Sequence, residues 1–121
     1  MKAVILLIAA ALLPTEATAQ QVFDIFSPGG DSCGTWSTEQ NLGSRYQRQT
    51  WVLGFFSAYN VYSPEGEAVE PPDGKALVAW IDNYCATHPL DFISAAAHKL
   101  VDELRRRRGL PPYAPMWRSS N

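Results

Sequence analysis

The chain has 121 residues with ten Lys/Arg against twelve Asp/Glu, a formal net charge of −2. So balanced a total gives no footing for a nucleic-acid partner or an anionic membrane surface, and the length allows one domain. Four Trp, five Tyr and five Phe can still build a core in a domain of that size.

The N-terminus reads Met1-Lys2, an apolar run from Ala3 to Leu13, Pro14-Thr15-Glu16 and the small-residue box Ala17-Thr18-Ala19. A positive start, a short apolar centre and an A-x-A site are the three parts of a cleavable secretory signal. The run is too short to span a bilayer, which takes about 20 apolar residues. Residues 1–19 are therefore expected to be an export signal cleaved after Ala19, placing the mature chain in the periplasm or outside the cell. Cleavage removes Lys2 and Glu16, leaving nine Lys/Arg against eleven Asp/Glu.

Residues 20–36, with Pro28-Gly29-Gly30-Asp31, lack helical periodicity and read as an irregular arm leading to Cys33. Cys33 and Cys85 are the only cysteines. In an exported domain they are expected to pair, since neither lies in a C-x-x-C or Cys/His cluster. The entropy of closing so long a loop contributes about 4 kcal/mol, a large share of the roughly 5–15 kcal/mol typical of a domain.

The helical domain is expected over 37–109. Ser37-x-x-Gln40 matches a capping box, so a first long helix should start there, hesitate at Gly43 and run to Tyr62. Trp51, Phe55, Ala58 and Tyr62 fall on one stripe, widened by Val52, Leu53 and Phe56, which predicts the central, buried helix. Gly54 inside it suggests close approach of another backbone. "SPEGEAVEPPDG" (63–74) is a loop with three prolines and four carboxylates. Asp73 is a plausible N-cap for a second helix, where Leu77, Trp80, Ile81, Tyr84 and Cys85 repeat at helical spacing. Thr87-His88-Pro89 interrupts it. A last helix from about Leu90 or Asp91 places Leu90, Ile93, Ala97, Leu100 and Leu104 on one face, with Arg105 to Arg108 at the negative end of its dipole and Gly109 as C-cap. Residues 110–121 form a proline-rich tail containing Pro112-x-x-Pro115 and Met116-Trp117. The expected fold is all-α, a small orthogonal bundle of three to four helices with one disulfide.

"DNYCATHPLD" (82–91) concentrates residue types that do chemistry. A Cys–His nucleophile would need a free thiol, and a metal site three or four converging ligands. Turn and staple duties account for every residue: Cys85 as bridge, His88-Pro89 as turn, Asp91 as cap or first-turn acid. His98 and Asp102, at i and i+4, read as a surface pair, and the arginine block as a solvated helix end. No catalytic residue, metal or cofactor is expected. The surface best placed for a partner is Tyr59, Asn60 and Tyr62 near the end of the first long helix, with Glu65, Glu67 and Glu70 of the acidic loop.

With "CGTWS" before a first helix, "WVLGFFSAYN" within it and "WIDNYCATHPLDFISAAAHKLVDEL" over two more, residues 33–105 resemble a superfamily of small periplasmic helical proteins. It contains the HdeA-type acid-stress chaperones and the Rap/Tai-type immunity proteins against type VI amidase effectors. The likeness lies in a cysteine ahead of the first helix, a G-[FY]-x-x-[AG] segment carried by Gly54, Phe55 and Ala58, and an ending similar to the immunity proteins' N-P…A-A…L-x-x-A-L type. It implies a compact disulfide-linked helical domain, monomeric or weakly dimeric, that works by binding another protein. Three readings stay open: an immunity-type binder of a protein partner, an acid-stress chaperone, and a small hydrolase using His88 or His98. In acid near pH 2 to 3 the eleven carboxylates of the mature chain would be neutral and its charge about +11 before termini, which is the basis of the second.

Overall fold

The computed structural model describes residues 24–63 and 73–113. It is an all-α bundle of four helices, α1 (Cys33–Thr38), α2 (Leu42–Tyr62), α3 (Gly74–Thr87) and α4 (Ile93–Arg107). The Cys33–Cys85 disulfide joins α1 to α3, with S–S 2.06 Å. Residues 1–23, which include the expected export signal, and residues 64–72 and 114–121 lie outside the described residues. No helix among the described residues is long and apolar enough to cross a membrane.

The chain enters its first helix earlier than the Ser37 box predicts. Ser32 is the N-cap, its hydroxyl accepting from the Thr35 amide at 3.1 Å. The next two amides are taken by the distant corner between α3 and α4: Cys33 N–H donates to Asp91 O (2.7 Å) and Gly34 N–H to Pro89 O (2.9 Å). The corner receives the same service in return, because Ile93 and Ser94 at the start of α4 donate to Asp31 O (2.9 Å) and Gly29 O (3.0 Å). Two helices thus satisfy each other's free first-turn N–H groups, which any helix leaves unpaired. A local capping pattern cannot show such a partner. Ser37 sits inside α1, and Gln40 donates to Thr38 O rather than back to a cap. The chain breaks at 39–41, where the Asn41 side chain accepts from Ser44 N–H and caps α2.

The α2 helix is not the central helix its aromatic content predicts. Only Val52, Phe56 and Tyr59 are buried; Trp51, Leu53 and Phe55 are half-buried, and Ala58 and Tyr62 of the expected stripe face out. Gly54 is open, with no neighbour within 4 Å of where a Cβ would stand. Close approach occurs instead at Gly29, where a Cβ would overlap the Trp51 indole.

Asp73 caps α3 as expected, accepting from Ala76 N–H at 2.9 Å. Its buried line is Leu77, Ile81 and Cys85, and it ends at His88. The most enclosed helix is α4, which buries Ile93, Ser94, Ala96, Ala97, Leu100, Val101, Leu104 and Arg105 and packs on the other three helices. Leu90 is not part of its apolar face; it precedes the helix and is 92 % exposed. Gly109 has φ +71° and closes the helix, the left-handed conformation that glycine adopts without a Cβ clash. Arg48 of α2 holds Asp31 (3.0 Å) and Glu39 (3.1 Å), pinning the arm and the end of α1 to the bundle.

Candidate functional site

The segment 82–91 is spent on architecture. The Asp82 carboxylate accepts from Trp36 Nε1 at 2.6 Å, tying α3 to α1. Tyr84 donates to Asp91 Oδ2 at 2.6 Å. Burial and the adjacent Asp91 carboxylate, in that order, push the Tyr84 phenol up to about 12. His88 stacks on Tyr84 with ring centres 4.1 Å apart, its Nδ1 2.9 Å from Tyr84 O. Asp91 is neither cap nor first-turn acid: Phe92 occupies the N-cap position of α4 without a side-chain hydrogen bond, because the arm supplies the partners. Among the described residues no three His, Cys, Asp or Glu groups converge as metal ligands.

The expected partner-binding residues separate. Tyr59 is no surface residue: it is 6 % exposed, its ring meets Tyr113 edge-on at 5.0 Å and its hydroxyl accepts from Arg105 Nη1 at 2.8 Å. Asn60 is half-buried, and its Oδ1 is enclosed without a hydrogen bond among the described residues. Tyr62 is 81 % exposed and its neighbour Val61 72 %. Glu65, Glu67 and Glu70 lie outside the described residues.

The arginine block divides in the same way. Arg105 is buried at 2 % exposure, and its Nε donates to Pro111 O at 2.6 Å, so it organises the chain after α4 rather than facing solvent. Arg106 and Arg107 both reach Glu103, at 2.9 and 2.8 Å. Their hydrogen bonds hold the Glu103 carboxyl down at about 2. The expected His98–Asp102 pair is replaced by other contacts. Asp102 Oδ1 accepts from Tyr113 N–H at 2.8 Å, and the His98 ring lies edge-on to Phe55 at 5.0 Å.

Sequence reasoning missed a groove of about 380 Å³ between α3 and α4. Trp80 and Tyr84 line it from α3, Lys99, Asp102, Glu103 and Arg106 from α4, and Leu110 and Pro112 from the chain after α4. The signal was present as spacing: 80, 84 and 88 follow at i, i+4 and i+8, and their rings stack, Trp80 to Tyr84 at 5.4 Å and 13°. A second groove of about 610 Å³ lies between α2 and α3, against Leu53, Val78 and Ala79. Both offer apolar surface beside fixed charge, which is the chemistry of recognition.

The fold and these surfaces define a small disulfide-linked helical domain. Comparison of the chain with protein-family models, with curated proteins and with solved structures finds no match.

Proposed function

We propose that this is an exported, non-enzymatic protein that acts by binding a protein partner, in the manner of an immunity protein. The observation that carries the reading is the end of α2, where Val61 and Tyr62 project into solvent immediately ahead of the acidic segment with Glu65, Glu67 and Glu70. Exposed apolar side chains rimmed by charge are what a binding surface needs. Carboxylates there suit a basic partner face and would speed its association. The N-terminal signal pattern supports export to the periplasm or out of the cell.

The test is affinity capture from periplasmic extract by the mature, oxidised protein, with and without Tyr62→Ala and with Glu65, Glu67 and Glu70 changed to Gln. A specific partner should be retained by the parent and lost from the variants. Equal capture by all of them, or none by the parent, would sink the reading.

Acid-stress chaperone action is the second reading, and the Arg48 ion pairs favour it. Asp31 and Glu39 tie the arm and α1 to α2 through one guanidinium. Glu39 is held below the ordinary carboxylate range, first by the Asn41 amide and then by Arg48. Strong acid neutralises such carboxylates and releases the tie, uncovering the Trp51 side of the core. Suppression of light scattering by a denatured client at pH 2 to 3 is the expected result, and no suppression would remove this reading.

A further inference from the structure

We propose that the groove between α3 and α4 seats an extended segment of the partner that carries prolines and an acidic residue. This rests on the protein-binding reading and supplies it with a second surface and a ligand chemistry. Three observations lead there. The groove is lined by the Trp80 and Tyr84 rings, with Pro112 of this chain also part of its lining. Aromatic-lined grooves take proline segments because the polyproline conformation is set before binding and little chain entropy is lost.

The aromatic wall is held in place in advance. Tyr84 is tied to Asp91 through its hydroxyl and stacked between Trp80 and His88, so binding need not order it. The charges that α4 contributes to the groove are already engaged, with one exception. Asp102 accepts from the Tyr113 amide, and Glu103 holds Arg106 and Arg107. Among the described residues Lys99 has no hydrogen bond or ion pair, and its ammonium is the charge left to meet an incoming carboxylate. The cavity volume falls near the lower end of the ~300–1,000 Å³ usual for a ligand pocket, which suits a few residues of extended chain.

The probe is a synthetic hexapeptide of two proline-proline-glutamate repeats, capped at both ends, titrated into the full mature chain and followed by amide and indole NMR shifts. Saturable shifts should centre on the Trp80 indole N–H and on the amides of 99–106. Trp80→Ala should weaken binding at least tenfold. Lys99→Gln, an exposed change that leaves the core untouched, should weaken it several-fold and abolish its salt dependence. Peptides with alanine for proline, or glutamine for glutamate, should lose most of the affinity. Absence of saturable shifts at millimolar peptide, shifts confined to α2, or unchanged affinity in Lys99→Gln would overturn the proposal. Partner capture that survives Lys99→Gln alongside a peptide that fails to bind would overturn the groove and leave the partner-binding reading standing; a binding peptide with no captured partner would do the reverse.

Discussion

Helices α2 and α4 differ in the opposite sense to their lengths. The first runs 21 residues and buries Val52, Phe56 and Tyr59; the second runs 15 and buries eight side chains from Ile93 to Arg105. The reason is side-chain size. Ser94, Ala96 and Ala97 let α1, α2 and α3 all come close to α4, and close-packed neighbours exclude water from every face they share. Of the large rings of α2, Phe56 and Tyr59 are buried, but Trp51 and Phe55 stay half-buried. The latter two lie along the outer surface of the bundle, Trp51 stacked on Phe55 at 5.8 Å and Phe55 meeting His98 of α4. A helix rich in aromatics can lie at the edge of a core whose most enclosed helix carries Ile93, Ala96, Ala97, Leu100 and Val101.

That contrast can be broken at several points. The largest effect should come from removing the covalent tie that holds α1 and α3 beside α4. Replacing both Cys33 and Cys85 by alanine opens a loop of 52 residues and should cost about 4 kcal/mol in denaturant unfolding. A loss under about 1 kcal/mol would mean that the reciprocal capping of the arm and corner suffices alone. Tyr59→Phe deletes the hydroxyl that accepts from buried Arg105 and should cost roughly 1.5–3 kcal/mol, as hydrogen bonds to charged groups do. Partner capture should be unchanged, because Tyr59 is inside.

Packing provides the direct comparison. Ala97→Leu adds volume at a fully buried position and should destabilise by roughly 1–3 kcal/mol, whereas Ala58→Leu at an exposed position of α2 should stay within about 0.5 kcal/mol. Similar losses at both sites would show that α2 is enclosed after all. Gly54→Ala sharpens the same point with the opposite sign. With open space around Gly54, the change should raise stability by about 0.5–1 kcal/mol through helix propensity.

The smallest effect concerns the exposed end of α4. Glu103 is held at about 2 by Arg106 and Arg107, below its ordinary 4.5. A folded value below the unfolded one means that its stabilisation is full above about pH 4.5 and disappears as the pH falls through about 2. The urea midpoint should therefore drop across that window less in Glu103→Gln than in the parent. Equal pH profiles would show the ion pairs to be without effect on the fold, as many exposed pairs are.

Much of this architecture is legible in residue types. The cap at Asp73, the break at His88-Pro89, the closing glycine at 109 and the line Leu77, Ile81, Cys85 all follow from local rules of capping, backbone and spacing, and the structure has each of them. The candidate sites are less legible. Tyr59 reads as surface because its neighbours in sequence are polar or exposed, and only Arg105, 46 positions away, takes it inside. Trp80 and Tyr84 read as core because helical spacing cannot tell a buried stripe from the wall of a groove.

The sequence by itself therefore determined the all-α class, both ends of α3 and the C-terminal ends of α2 and α4, since these depend on backbone chemistry and the few neighbours each residue meets along the chain, and the cysteine pairing, since the chain has only two cysteines. Tertiary structure alone decided which helix is central, where α1 starts and which charged groups are spent. Those outcomes depend on atoms that meet only after folding: the carbonyls of Pro89 and Asp91 on the amides of Gly34 and Cys33, the Trp51 ring on Gly29, and the Arg105 guanidinium on Tyr59.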